Sequence, residues 1–248
     1  MKNALAVICR FPNQIMCEFY NNVTEYDVFV IIDDESFTSD DNYKNIYSNI
    51  TFVQICASTC LEKNIKNCTN SGTILKLVAG WDKALYYFMF EAKKEYINIW
   101  LLEDDVFIYD QYTLVNIDKK YGPHCDLLCN STFSDEEPIG WHWERISIKF
   151  PPPYFRGMVC ACRISQQMIL SLKNYAAENE TLFFIEALFP TMAKHDSLTF
   201  YPSPPEFIHV TWNKAWDFPS DFHKPLIYHP IKNMHHFSLV RDYLQKKS

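Results

Sequence analysis

Residues 96–109 read YINIWLLEDDVFIY, and this stretch constrains the chain more than any other. Its first half, Ile97 to Leu102, is an apolar run of strand length, the pattern of a strand covered on both faces of an α/β sheet. Glu103, Asp104 and Asp105 follow without a break, at the place where such a strand ends and where open α/β sheets bind their ligands. Three adjacent carboxylates repel one another and are costly to desolvate unless a cation or hydrogen-bond donors compensate. Their hard oxygens suit Mg²⁺ or Mn²⁺. A solvated acidic turn after a strand carries the same letters, so the surrounding elements must decide.

Those elements have an α/β order. Ala4 to Cys9 reads as a buried strand. Pro12 opens a helix with Ile15, Met16, Phe19 and Val23 at helical spacing, and Tyr26 to Ile32 is a second strand ending on Asp33 and Asp34. A short strand–helix–strand unit predicts parallel, right-handed pairing, which delivers Arg10, Asp33 and Asp34 to one sheet edge. Thr51 to Cys56 reads as a third strand. The pattern predicts one long helix from an N-cap at Ser71 to Lys94, with Ile74, Leu77, Val78, Trp81, Leu85, Phe88 and Ala92 on a stripe and Gly80 marking close approach to the sheet or a ligand.

Beyond the acids, helices are predicted near Gln111 to Tyr121, after Ser165, and from Thr181 to Ala193 with a disturbance at Pro190; strands are predicted at Asp126 to Asn130 and from Tyr154 to Arg163. Short strands near Ser197 to Tyr201, Glu206 to Trp212 and Leu226 to Lys232 precede a terminal helix whose stripe is His236, Leu239, Val240 and Tyr243. Residues 134–153, with Trp141, His142, Trp143 and three consecutive prolines, are too irregular for a core element.

Composition excludes several classes. A length of 248 residues with 48% apolar side chains, five glycines and no low-complexity tract describes a packed globular chain, read as a single domain. A net charge of −7 argues against a nucleic-acid surface, although a metal and a few cations still accommodate a nucleoside diphosphate. No apolar run approaches the roughly 20 residues of a bilayer span, and Ala4 to Cys9 is too short for a secretory signal, so the expected location is cytoplasmic. Nine scattered cysteines then read as buried thiols, and the Asn-X-Ser/Thr sites, as at Asn22 and Asn130, as consequences of an Asn-rich composition.

The strand ending Asp33-Asp34, the Trp-Asp-Lys-Ala-Leu segment at 81–85, the Trp-Leu-Leu-Glu-Asp-Asp-Val segment at 100–106 and the order of later elements together resemble the nucleotide-diphospho-sugar glycosyltransferases of the GT-A fold. The Glu-Asp-Asp form is similar to that of the N-acetylglucosaminyltransferase I family, and the aromatic- and Asn-rich composition is similar to small viral or algal transferases, for which the location would be a host cytoplasm. The resemblance implies a single GT-A domain over 1–248, with a nucleotide-binding half at 1–110 and an acceptor-side half with a C-terminal metal and diphosphate loop at 111–248, built on a mostly parallel sheet flanked by helices and transferring a hexosyl or pentosyl unit from a nucleotide-sugar, a UDP-sugar favoured, to a glycan or other hydroxyl. It further implies Asp105 as principal ligand of Mn²⁺ or Mg²⁺, Glu103 and Asp104 toward ribose, sugar or metal-bound water, and donor contacts from Arg10, Asp33, Asp34, Lys83 and Arg156.

The resemblance also implies a C-terminal histidine on the metal with a lysine nearby for the diphosphate. His229 with Lys232 and His209 with Lys214 compete, and His229 is preferred because it follows the apolar Leu226, Ile227 and Tyr228 at a strand end. Transfer needs a base for the acceptor hydroxyl, and Glu186, among apolar neighbours that raise its pKa, is the candidate for an inverting reaction. Two alternatives stay open: a sugar-nucleotide nucleotidyltransferase, which usually carries a Gly-rich N-terminal loop absent from residues 8–16, and a non-catalytic nucleotide-sugar or glycan-binding module.

Overall fold

The computed structural model describes residues 2–37, 41–72, 76–132, 141–218 and 220–246. In chain order its strands and helices are β1 (Asn3–Cys9), α1 (Gln14–Asn21), β2 (Tyr26–Ile32), α2 (Asp41–Ile46), β3 (Ile50–Gln54), α3 (Ala57–Glu62), α4 (Gly80–Tyr86), β4 (Asn98–Glu103), β5 (Phe107–Ile108), α5 (Gln111–Tyr121) and β6 (Leu127–Thr132). They continue with β7 (Arg156–Ser165), α6 (Gln166–Asn179), α7 (Ile185–His195), β8 (Phe200–Pro202), β9 (His209–Val210), β10 (Ile227–His229) and α8 (Met234–Gln245).

Among the described residues, seven strands form a central sheet in the order β3-β2-β1-β4-β7-β6-β8, and three short ones form a second sheet, β5-β10-β9. β1 pairs in parallel with β2 and with β4, as the strand–helix–strand reading predicts, and β7 alone runs against both of its neighbours. The period of two along each strand sorts side chains to two faces. Ala4, Ala6, Ile8, Ile99 and Leu101 enter one core, beneath α4, α6 and α7; Leu5, Val7, Cys9, Trp100 and Leu102 enter the other, beneath α1 and α5. Burial on both faces explains why the strand at residues 97–102 reads as an unbroken apolar run. Each fully buried Leu or Ile in it contributes about 1.5–3 kcal/mol. A third cluster, Phe107, Phe222, Tyr228, Ile231, Phe237 and Val240, fills the space between the small sheet and α8.

The start of the sheet is tied together by one carboxylate. Asp118, on α5, accepts hydrogen bonds from Asn3 (2.9 Å), Tyr26 (2.6 Å), Trp100 (3.2 Å) and Arg163 (2.6 Å), which come from four different strands. The Arg163 side chain has no exposure to solvent.

Two local readings need correction. The helix expected from Ser71 starts only at Gly80, and residues 76–79 are not helical; Ile74 lies outside the described residues. The physical reason is Asp82, whose carboxylate accepts from the backbone N–H of Ala79 (2.9 Å) and of Cys68 (3.1 Å) and so captures the first turn, while the Leu77 carbonyl is taken by the Asn67 N–H at 2.8 Å. A π-helical turn over Tyr87–Glu91 follows α4. Gly80 does mark close packing on the sheet: a Cβ there would stand 2.6 Å from Ile8 Cγ2. On α8 the buried positions are Phe237 and Val240, whereas Leu239 is exposed, because the helix packs on the aromatic cluster around Phe107.

The other helices begin where the side chains cap them. Asn13, Asp110, Ser165 and Asn233 each accept a hydrogen bond from a backbone N–H in the first turn of α1, α5, α6 and α8. Of the irregular segment at 134–153, residues 134–140 lie outside the described residues; a 3₁₀ turn occupies Trp143–Arg145. Among the described residues no disulfide forms, and the cysteines are buried thiols apart from exposed Cys56. No helix among those residues is long and apolar enough to cross a membrane.

Candidate active site

β4 ends on Glu103, and the chain turns at once, with the Val106 N–H donating to the Glu103 carbonyl at 3.0 Å. β5 then pairs with β10, placing Phe107 opposite Tyr228, and the Ile231 N–H donates to the Asp105 carbonyl at 2.8 Å. The C-terminal segment is thereby threaded past the acidic motif. Glu103, Asp105 and His229 present ligand atoms that all lie within 4.8 Å of one another. Asp104 contributes no atom to this group.

The register turns the two histidines to opposite faces. In the β9–β10 pairing His209 stands beside Tyr228 and His229 beside Val210, and neighbours in register share a face. His209 stacks on the Tyr228 ring at 5.0 Å and lies edge-on to Trp216, away from the acids. His229 points the other way, and its Nε2 stands 3.2 Å from Asp105 Oδ1 and 3.9 Å from Glu103 Oε2.

Its other ring nitrogen, Nδ1, is 2.8 Å from the Thr211 carbonyl, a contact that only an Nδ1–H satisfies. That bond orients the ring as the outer partners of metal-binding histidines do. Asp105 Oδ1 and His229 Nε2 are both buried, 3.2 Å apart, and with the imidazole neutral neither has a hydrogen-bond partner; a proton on Nε2, or a cation in its place, joins them. Two lone-pair atoms facing each other in this way fit a divalent cation, with Glu103 Oε2 as a third ligand. Glu103 is itself held, its Oε1 accepting from the Trp81 indole N–H at 2.8 Å.

The charges respond accordingly. Burial raises Asp105, but His229 and Lys232 more than offset it and hold its carboxyl below the usual range. Burial lowers His229, but Asp105 and Glu103 outweigh it and raise the imidazole. Burial and the Asp105 charge push Glu103 and Asp104 up, with the Trp81 hydrogen bond opposing this at Glu103. Lys232 donates to Asp105 Oδ2 while most of its side chain remains exposed.

A cavity of about 820 Å³ opens beside this cluster, and Glu103, Glu186, His229 and Lys232 line it. Glu186 sits in the first turn of α7. Burial, reinforced by the Glu103 charge and opposed by His229 and Arg156, pushes its pKa up to about 7. Arg156, at the start of β7, lies over the Trp141 ring at 5.5 Å and acts on Glu186 through its charge.

The remaining expected donor residues collect at the ends of β1 and β2, outside the cavity. Arg10 pairs with Asp34 at 3.4 Å, and Asp33 pairs with Lys76 at 2.8 Å. Lys83 is fully buried, donating to the Asp33 carbonyl (2.6 Å) and to Glu35 (3.1 Å). The sequence reading gave no role to Trp81, Thr211 or Trp212. Trp81 reads only as part of a helical motif, and the two others end the segment Glu206 to Trp212, expected as a strand, of which only His209–Val210 forms one.

No family model matches the chain, and no curated protein matches it. Solved structures do. The galactosyltransferase LgtC in complex with donor and acceptor sugar analogs aligns over 99% of this chain and 95% of its own, at 11% identity and a TM-score of 0.53. An active-site mutant of LgtC aligns over the same shares at 11% identity and 0.52. The apo form of mouse xyloside xylosyltransferase 1, at 12% identity over 94% of this chain and 98% of its own, scores 0.44 and adds nothing to the comparison. The chain has the GT-A fold, with a mixed, mostly parallel sheet flanked by helices, at an identity that establishes architecture alone.

Proposed function

We propose that this chain is a metal-dependent glycosyltransferase that moves a hexosyl or pentosyl unit from a nucleotide-diphosphate donor, a UDP-sugar by preference, to a hydroxyl of a glycan or other acceptor with inversion. The observation that carries the reading is the buried facing pair Asp105 Oδ1 and His229 Nε2, 3.2 Å apart and without a hydrogen bond when the imidazole is neutral, beside a cavity that also holds Glu186.

Asp105, His229 and Glu103 would hold Mn²⁺ or Mg²⁺. Such a cation stabilises the negative charge that builds on a departing diphosphate. Lys232, at the mouth of the same cluster, adds a positive charge for the diphosphate oxygens. Asp33, Asp34 and Arg10 take the nucleoside at the ends of β1 and β2, and Lys83 supports that edge from beneath. Glu186 accepts the proton of the acceptor hydroxyl on a carboxylate oxygen. As the deprotonated acceptor oxygen bonds to the anomeric carbon, the bond from that carbon to the phosphate oxygen breaks and the diphosphate leaves with the electron pair. A pKa of about 7 suits a base working near neutral pH.

The test is a panel of UDP- and GDP-sugars incubated with the protein and Mn²⁺. Release of nucleoside diphosphate with transfer to an added glycan supports the reading. Formation of a sugar nucleotide from a sugar phosphate and a nucleoside triphosphate contradicts it in favour of a nucleotidyltransferase, and binding without turnover contradicts it in favour of a binding module.

A further inference from the structure

Trp81 sits in the first turn of α4, and that turn is fixed by its neighbours. Gly80 leaves no room for a Cβ against Ile8 of β1, Asp82 accepts from the Ala79 and Cys68 N–H groups, and Lys83 donates to the Asp33 carbonyl. The indole itself is 3% exposed and lies edge-on to Phe189 of α7, with ring centroids 6.2 Å apart. Packing therefore sets where its N–H points before any cation is bound.

An indole N–H is a donor with no acceptor capacity, and a buried one keeps an acceptor within reach. The acceptor is Glu103 Oε1 at 2.8 Å, while Glu103 Oε2 stands 3.9 Å from His229 Nε2. One carboxylate is thus divided between two tasks: Oε1 is engaged by the indole, and Oε2 is available to a cation beside Asp105 and His229. A carboxylate free to turn offers both oxygens to one ion. That suits Ca²⁺, which takes about six to eight oxygen ligands in tolerant geometry, whereas the smaller Mg²⁺ demands a near-octahedral shell in which one oxygen per carboxylate fits.

We propose that Trp81 is a positioning residue that sets the cation selectivity of the cluster. Its N–H occupies Glu103 Oε1 and leaves Oε2 as the one oxygen offered, so Glu103, Asp105 and His229 take Mg²⁺ or Mn²⁺ in preference to Ca²⁺. The inference rests on the cation site of the proposed function and goes beyond it by saying which ions that site accepts and which side chain decides. His229, a nitrogen ligand, also disfavours Ca²⁺. A substitution at Trp81 separates the two contributions, because it leaves the histidine in place.

The test is calorimetric titration of Mn²⁺ and of Ca²⁺ into the full chain, as wild type and as Trp81→Phe, which keeps an aromatic ring against Phe189 and removes the N–H. The wild type should bind Mn²⁺ more tightly than Ca²⁺. Trp81→Phe should weaken Mn²⁺ by about tenfold or more, the loss typical of an outer partner of a metal ligand, and Ca²⁺ by much less, so that the ratio of the two affinities falls. In a Glu103→Gln background the same substitution should leave the ratio unchanged, because the carboxylate through which it acts is gone. Equal proportional losses for the two ions, no loss of Mn²⁺ affinity, or a fall in the ratio that persists with Glu103→Gln would each overturn the proposal. Should Trp81→Phe not fold, proton NMR of the wild type carries the test: in saturating Mg²⁺ the Trp81 indole proton should stay downfield and protected from exchange, and an upfield shift with fast exchange would show Glu103 leaving the indole and overturn it. A wild type that binds neither ion removes the cation site itself, whereas a wild type that binds Mn²⁺ no differently from Trp81→Phe removes only the role of the indole.

Discussion

Asp118→Ala should be among the most damaging single substitutions in the chain, although it lies at the far end of the sheet from the acidic cluster. The carboxylate takes hydrogen bonds from Asn3, Tyr26, Trp100 and Arg163, and removing it strands the Arg163 guanidinium, which has no exposed surface. Breaking one half of a buried ion pair costs about 3–5 kcal/mol, because the remaining charge is uncompensated. Domains are stable by only about 5–15 kcal/mol, so the loss is a large share. In a chain of this size each kcal/mol moves the melting temperature by about 2–4 °C, which gives a fall of roughly 6–20 °C. Urea melts followed by circular dichroism measure it. The double variant Asp118→Leu with Arg163→Met, which leaves no buried charge but leaves the Asn3, Tyr26 and Trp100 donors without their acceptor, should recover only part of the stability. A loss below about 1 kcal/mol for Asp118→Ala would show that this carboxylate does not hold the sheet together.

Three further outcomes follow from the site and its supports. Glu186→Gln should keep donor binding and lower transfer by about 10² to 10⁴; in the wild type the rate should rise with pH through about 7, because the base must be ionised, and a flat profile from pH 5 to 8 would remove Glu186 from that role. His229→Ala should weaken metal-dependent UDP affinity by about tenfold or more while His209→Ala, whose ring stacks on Tyr228, changes it little; calorimetry in Mn²⁺ checks the order. Asp82, raised by burial from 3.8 to about 6, favours its neutral form in the folded state, so its contribution to stability is complete below pH 4 and is lost as pH rises through about 6. Urea melts of Asp82→Asn should show a shallower loss between pH 4 and 6 than the wild type, and equal slopes would discount the group.

Much of this architecture is legible in the chain because both signals are local. The apolar run at residues 97–102 and the acids after it mark a central strand and its carboxyl end, and the short β1–α1–β2 unit dictates parallel pairing. The placement of His229 beside the acids also has a local cue, the apolar residues that make β10. What was not legible depends on partners distant in sequence. Asp118 is one acid in an ordinary amphipathic helix until Arg163 folds against it. The segment before Gly80 has the periodicity of a helix, yet Asp82 and Asn67 use the backbone groups that a helix would need. Trp81 reads as a core residue, and only the structure shows its indole N–H on Glu103.

Under the proposed function, Glu103, Asp105 and His229 form a cation site on which nucleotide-sugar binding depends. It is tested most directly by isothermal titration of UDP into the wild-type protein in excess Mn²⁺ and again in excess chelator. Without the cation the acids oppose the diphosphate with like charge, so UDP should bind in Mn²⁺ and lose most of its affinity in chelator, and Asp105→Ala should behave in Mn²⁺ as the wild type does in chelator. Equal UDP affinity in the two buffers would contradict the account.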